Sequence, residues 1–428
     1  MLSAVRLHAI DSHDAQSELV HILFNQEKYM QAIDVLHTMI AANPHNLKLY
    51  FELGYACTLI GNVDEGIAAY QHILKRLPHH TQALYNLGYI YKMCGRCDEA
   101  IACYKRLIAD HPDYDNAYFA LSRAYLRKGD FAAGWQAAER HFKKSGTYAE
   151  DVRSLVRTGT LRGKTIALVP EGGLGDTVQC IRYAHVLKNH GATIIAAVQK
   201  ELIPLLSRCT YIDTLISSDD ELPAHDAHAT LMSMPAIMHD DEQTLPTPIP
   251  YINANPELVA AWAATLAHDT RIRVGICWQA SSAHDASRPP VARRGIPLKY
   301  FFALADMPTI SLYSLQKYDG MEQCADAPTT RIIFNDNLDT LHGPFMDTAA
   351  IICNLDLVIT VDTAIAHIAG ALGKSVWLLL PFEADWRWLA NRTDSPWYPT
   401  MHIFQQPHPF DWDSVMHEVT TALQEHFT

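Results

Sequence analysis

The stretch "IALVPEGGLGDTVQCIRYAHVL", residues 166–187, decides how the rest of the chain is read. An apolar run leads into a glycine-rich turn, then Asp176, then a segment of helical period. Strand, turn and helix in that order make the unit of a doubly wound sheet, whose ligands lie beyond the carboxyl ends of the strands. Such turns commonly seat a phosphate on helix amides. This one lacks the Lys-Ser/Thr of a P-loop and the spacing of a dinucleotide fingerprint. The next strand, "ATIIAAVQ", ends in Gln199 and Lys200 rather than in the acid that grips an adenosine ribose. An ATPase and a dehydrogenase are therefore disfavoured, and the turn presents Asp176. That residue reads as the N-cap of a helix starting at Thr177, as a proton acceptor facing a cleft, or as both.

Outward from this unit the alternation continues. "KTIALVP", "ATIIAAVQ" and "IDTLIS" read as strands, and "TVQCIRYAHVLKNHG" and "ELIPLLSRC" as helices. Four prolines in "DDEQTLPTPIPYINANPE" interrupt the pattern, so a lobe boundary is expected near 240–270. A second series follows: strands "RVGICWQ", "ISLYSLQ", "DLVIT" and "SVWLLL", with helices "MDTAAIICNL" and "TAIAHIAGALG". The expected domains are a Rossmann-like lobe over 160–260, a second over 270–410 and an amphipathic helix over 411–428. Two such lobes in tandem enclose a ligand cleft.

Upstream, over 1–150, the chain repeats itself. Pro44, Pro78 and Pro112 are 34 residues apart, as are Leu19, Leu53, Leu87 and Leu121, and Ala32, Gly66, Ala100 and Gly134. Small residues at helix crossings with this period are the tetratricopeptide signature. Residues 13 to about 142 read as three repeats and a divergent fourth, with Gly54, Gly88 and Ser122 letting paired helices approach. The fold class expected is α + α/β. Cys94 and Cys97 of "CGRC" read as structural, with Gly95 in the turn between helices, because no second pair lies at zinc spacing.

Composition narrows the function. The formal charge of −13 disfavours nucleic-acid binding, so an anionic ligand needs a local basic cluster. Nine scattered cysteines and a start, "MLSAVRLHAIDSHDAQ", without a signal-like apolar core are the pattern of a cytoplasmic protein.

The second lobe carries the anion-binding candidates. In "DLVITVDTAIAHIAGALG" a strand ends at Thr360 and a helix starts near Ala364, capped by Asp362 or Thr363, with His367 over its first turn. Arg288, Arg293 and Arg294 fall within seven residues, and arginine forks suit a diphosphate. Gln316 and Lys317 follow a strand end. Trp278 reads as core or as cleft wall.

Together, "EGGLGDTVQCIRYAHVL", "HDAHATLMSMP", "VGICWQAS" with "RRGIPL", "YSLQK", "LDLVITVDTAIAHIAGALGKSVWLLLPFEADWRW" and "SPWYPTMHIFQQ" resemble glycosyltransferase family nine, the heptosyltransferase-like enzymes of GT-B fold. The whole chain resembles bacterial proteins that join tetratricopeptide repeats to such a domain. The resemblance implies an inverting transferase that needs no metal or other cofactor and takes a nucleotide-sugar donor. It implies Asp176 as base. Arg294, Gln316, Lys317, Asp362, Thr363 and His367 are the donor-side residues, and Gly173, Gly175, Gln179 and His228 the acceptor-side ones. The repeats are expected to recruit a protein or glycan acceptor, or to drive self-association. The alternatives are a non-catalytic scaffold and a sugar-nucleotide epimerase.

Overall fold

The computed structural model of the chain describes residues 13–145, 149–245, 249–326, 332–335 and 337–427. Most of the amino-terminal start noted above therefore lies outside the described residues, as does the tail end of the 411–428 segment.

Four helix pairs come first: His13–Asn25 with Tyr29–Ala42, Leu47–Ile60 with Val63–Arg76, Thr81–Met93 with Cys97–Asp110, and Asp115–Lys128 with Phe131–Ser145. The 34-residue period has a visible steric cause. A Cβ on Gly54 would stand 2.8 Å from the ring of Tyr70, and one on Gly88 2.8 Å from that of Tyr104. Both tyrosines are fully buried. The glycine and the ring are thus one packing device used twice. Gly95 takes φ +77 in the turn between the helices of the third pair, and Cys94 and Cys97 are free thiols.

After helix Glu150–Thr158 the first lobe has four parallel strands: β1 (Thr165–Val169), β2 (Thr193–Val198), β3 (Thr214–Ser217) and β4 (Ala227–Thr230), in the order β3-β2-β1-β4. The segment "TVQCIRYAHVLKNHG" is two helices, Leu174–Cys180 and Arg182–Asn189. At the start of the second, the buried Arg182 turns its Nε back onto the Gln179 carbonyl (2.8 Å) and its Nη1 across to the Trp397 carbonyl (2.9 Å).

The second lobe has six parallel strands: β5 (Ile272–Cys277), β6 (Ile310–Ser314), β7 (Ile332–Ile333), β8 (Leu357–Val361), β9 (Val376–Leu380) and β10 (Met401–Gln405), ordered β10-β9-β8-β5-β6-β7. Helix Pro256–Leu266 sits on this lobe: Trp262 Nε1 donates to Asp347 Oδ1 (3.0 Å) and Asn354 Nδ2 to the Val259 carbonyl (2.9 Å). Tyr251 is still bonded into the first lobe, to Arg182, Tyr211 and Val178, so the crossover lies between 251 and 256, inside the expected 240–270 window and earlier than residue 260. Helix Trp412–His426 closes the lobe with Trp412, Val415, Met416, Val419 and Leu423 buried at helical spacing. Two parallel-sheet lobes facing across a cleft make the GT-B arrangement.

The repeats are not tethered loosely to this body. Leu126, Phe131 and Trp135 of the fourth pair belong to the same buried cluster as Ile166 of β1 and Trp386 and Trp397 of the second lobe. Tyr89 Oη and Lys92 Nζ reach Glu383 at 2.7 and 3.1 Å, and Arg293 pairs with Glu27 of the first repeat at 2.7 Å. No described helix is long and apolar enough to cross a membrane.

Candidate active site between the lobes

A cavity of about 830 Å³ opens where the two sheets' carboxyl ends face each other. From β1, the turn Glu171–Gly175 enters it. Gly172 has φ +88, and a Cβ there would lie 2.4 Å from Asp176 Oδ2. The glycine is needed on both counts. Helix Leu174–Cys180 begins three residues earlier than expected, with Gly173 as N-cap, so Asp176 sits inside its first turn. Asp176 Oδ2 accepts the Gly173 N–H (2.7 Å), and Oδ1 accepts from Arg387 Nη2 (2.5 Å). Burial raises the Asp176 carboxyl, but the Arg387 charge and hydrogen bond outweigh it and hold the group below the usual range. It is a carboxylate at neutral pH.

The lobes meet at Gly175. A Cβ there would stand 2.7 Å from His367 Cδ2, so only glycine lets the turn rest on the imidazole. His367 is buried; its Nδ1 hydrogen-bonds with the Tyr398 hydroxyl (2.9 Å), and its Nε2 lies 3.9 Å from Asp362 Oδ1. Burial, then Arg387, pushes His367 down to about 3, so it is neutral. Thr363 caps helix Ala364–Ala371 by accepting the Ile365 N–H (3.2 Å), and that helix start lines the cavity. Cys277 also lines it, but burial pushes its thiol up to about 11. It is not a nucleophile at neutral pH.

The three arginines divide the work differently from the sequence reading. Arg293 turns away to Glu27, outside the cleft. Arg294 faces the cavity but is engaged: Nε with Asp285 Oδ1 (3.3 Å) and Nη1 with the Asp362 carbonyl (3.0 Å). It braces the turn before Thr363. Arg288 lines the cavity; its backbone N–H donates to the Asp285 carbonyl (3.0 Å), while among the described residues its side chain makes no hydrogen bond or ion pair and acts on Asp385 only through its charge. Lys317 spends one N–H on the Leu338 carbonyl (2.7 Å) and also faces the cavity.

Other expected site residues are corrected by their positions. Gln316 lines the cleft, yet its amide is consumed by the backbone. Oε1 accepts from Trp278 and Gln279 N–H (3.0 and 2.9 Å), and Nε2 donates to the Gln279 and Asp319 carbonyls (3.1 and 2.7 Å). It is a latch between strand ends rather than a ligand contact. Gln179 is buried outside the cavity lining, because its helix packs against helix Ala364–Ala371. His228 is exposed on edge strand β4, beside His225 and away from the cleft. Trp278 is core, its Nε1 bonded to the Gly320 carbonyl (3.2 Å). Gly173 and Gly175 do line the cavity.

Sequence reasoning missed Arg387, Asp385 and Glu171. Arg387 and Asp385 lie in "FEADWRW", where two acids and an arginine interleave with aromatics; that density of charge beside tryptophan was the available signal. Asp385 Oδ1 accepts from Arg387 N and Nε (3.1 and 3.0 Å), and despite burial the neighbouring arginines hold it far below the usual range. Glu171 lines the cavity with a buried Oε2 that has no hydrogen-bond partner among the described residues.

Comparison with known proteins bears on the repeats first. Residues 18–80 match the tetratricopeptide repeat family, and residues 88–129 match a TPR repeat family. The amino-terminal third is a tetratricopeptide-repeat array. Over its whole length the chain is similar to Protein FlbA of Caulobacter vibrioides, 25% identical over 452 aligned positions that cover 98% of this chain and 74% of that protein. Among solved structures, a glycosyl transferase family 9 protein of Veillonella parvula aligns at 12% identity and a TM-score of 0.44, covering 60% of this chain and 91% of that one. MamA of Desulfovibrio magneticus aligns at 16% identity and a TM-score of 0.30, covering 34% of this chain and 83% of that one.

Proposed function

We propose that this chain is a glycosyltransferase that moves a sugar from a nucleotide-activated donor to a hydroxyl of a protein or glycan acceptor, with inversion and without a metal. One observation carries the reading. The Asp176 carboxylate of the first lobe and the cationic side of the second, formed by Arg288, Lys317 and the helix start at Thr363, line the same cavity.

In the proposed step the acceptor oxygen attacks the anomeric carbon. Asp176 takes the hydroxyl proton, and the carbon–oxygen bond to the diphosphate breaks with its electron pair going to the phosphate. Arg288, Lys317 and the first-turn amides stabilise the charge that develops there. Arg294 keeps the Thr363 turn in place. Neutral His367 supports Gly175 and Asp362 and does not move a proton. Glu171 adds a second carboxylate to the same turn of the cavity wall. The test is mass spectrometry of the purified chain incubated with a panel of sugar nucleotides and acceptor extract. A sugar-sized mass added to an acceptor supports the reading, and donor isomerised without acceptor points to an epimerase.

A second reading, a non-catalytic scaffold, is favoured by the Asp176–Arg387 pair, which lowers the basicity of the carboxylate. A carboxylate has about four lone-pair positions, and two are used here, so proton acceptance is weakened rather than blocked. Nucleoside-diphosphate binding without turnover of any donor would select the scaffold.

A further inference from the structure

One wall of the cleft comes from neither lobe. Phe119, Ser122, Arg123 and Leu126, all on helix Asp115–Lys128 of the fourth repeat, line it. Arg123 reaches furthest into the site's electrostatics. Its Nη1 lies 3.4 Å from Asp385 Oδ2, and its guanidinium lies over Phe119 and Trp386 at 4.8 and 5.9 Å. Asp385 is thereby divided, Oδ2 facing Arg123 and Oδ1 facing Arg387. Arg387 in turn meets Asp176. Two guanidiniums and two carboxylates alternate from the repeat array to the reaction cleft. Arg127, one turn further on, anchors the same loop: its Nη1 donates to the Ala384 carbonyl (2.7 Å), and its own carbonyl accepts from Ala390 N (2.8 Å).

We propose that Arg123 is a positioning residue for the transfer reaction, so that the last repeat is part of the active site. Asp385 has two oxygens, and Arg387 offers a fork that suits both. Arg123 occupies the second oxygen and limits Arg387 to the first, which leaves Arg387 Nη2 for Asp176. Without Arg123, Asp385 takes Arg387 bidentately and draws it from Asp176, whose carboxylate then loses its orientation toward the acceptor. This inference rests on the transferase reading above.

The experiment uses the full chain and whichever sugar nucleotide it turns over. Arg123→Met, Arg123→Lys and, as a control, Arg96→Met on the third repeat are compared by steady-state kinetics and melting temperature. Arg96 is exposed and pairs with Glu99, remote from the cleft. Arg123→Met should lower kcat by roughly tenfold to a hundredfold, the scale of a small misplacement of a reacting group, with donor KM within about twofold. Arg123→Lys should recover much of that loss, because an ammonium still meets Asp385. Three results overturn the inference: a kcat no lower than that of the Arg96 control, a donor KM that rises with the loss, or a lysine variant no better than the methionine one. A wild-type chain that turns over no donor sinks the transferase reading itself, and the inference with it. An active wild type with a fully active Arg123→Met sinks the inference alone.

Discussion

Arg387 Nη2 lies 2.5 Å from Asp176 Oδ1, joining the two lobes across 211 residues of sequence. Both side chains are largely buried, at 10% and 22% exposure, so removing the cation leaves a carboxylate short of solvent and partner. Asp176 is held below its ordinary value, so its contribution to stability is present above the unfolded pKa of about 3.9 and is lost as pH falls through the folded one. Arg387→Met should therefore destabilise the chain by about 3–5 kcal/mol at pH 7. The gap to wild type should narrow as pH falls below about 3.9 toward the lower folded value, where the wild type loses this contribution. Denaturant melts at the two pH values check this, and an equal gap at both would mean that the pair contributes little.

Donor affinity should follow Arg288 rather than Arg294. The Arg288 side chain faces the cavity with no hydrogen bond or ion pair among the described residues, whereas Arg294 already serves Asp285 and the Asp362 carbonyl. Arg288→Ala is expected to weaken nucleoside-diphosphate binding by about 1.5–3 kcal/mol, the scale of a hydrogen bond to a charged group. Arg293→Ala should leave it unchanged, because that side chain is on Glu27. Titration calorimetry of the two variants decides the point.

Asp240 should make stability fall as pH rises toward neutrality. Burial pushes its carboxyl up to about 7, with Tyr183 donating to it and Trp135 Nε1 donating to its carbonyl (2.9 Å). The folded chain holds this proton more tightly than the unfolded one. The stabilisation is full below about pH 3.9 and is lost as pH climbs through about 7. Asp240→Asn keeps an acceptor for Tyr183 and carries no charge. It should melt higher than wild type at pH 8, by roughly 1–4 kcal/mol in stability. It should also lack this component of the slope between pH 5 and 7. Calorimetry at pH 5, 7 and 8 measures both effects.

Removing the array should damage the two-lobed body. A chain starting at Ser154 exposes the faces of Trp386 and Trp397 that pack on Trp135 and Phe131, and leaves Glu383 without Tyr89 and Lys92. The motifs of the cleft all lie after residue 165, which on sequence alone suggests a separable domain. The contacts argue for one cooperative body, so the shortened chain should aggregate or melt well below the full one. A soluble shortened chain with an unchanged melting temperature would sink this expectation.

What the sequence showed and what it hid have a common cause. Periodic packing is local: Gly54 with Tyr70 and Gly88 with Tyr104 are short-range pairs, so the repeat was legible. Each strand-to-helix turn is likewise local, which is why the sequence could place Asp176 and Thr363 at helix starts. The pairings that assemble the site, Asp176 with Arg387 and Arg123 with Asp385, span 211 and 262 residues and leave no local trace. His228 came from the resemblance alone, and its neighbours in sequence do not say that their strand lies at the edge of the sheet, where the side chain is exposed. Gln316 was misread because a glutamine that latches backbone and one that binds a ligand look the same in sequence.

Asp176→Asn separates the structural role of the carboxylate from its proposed chemical one. As N-cap, the residue could become asparagine at almost no cost. Inside the first turn it has two jobs, accepting from Gly173 N and from Arg387 Nη2. Asparagine has one carbonyl oxygen and must leave one of them. Arg387 retains Asp385, so the charge is not orphaned, and the expected loss is about 1–3 kcal/mol, the cost of a missing acceptor. The amide accepts no proton at neutral pH, so transfer should fall by roughly 10²–10⁴-fold, the range for a lost general base. Nucleoside-diphosphate affinity should hardly change, because the phosphates are assigned to the opposite lobe. Transfer rate, calorimetric affinity and melting temperature of this one variant settle the assignment between them. A variant that melts low but turns over at a near-normal rate reduces Asp176 to a brace for Arg387 and moves the base to Glu171, the other carboxylate of the same turn.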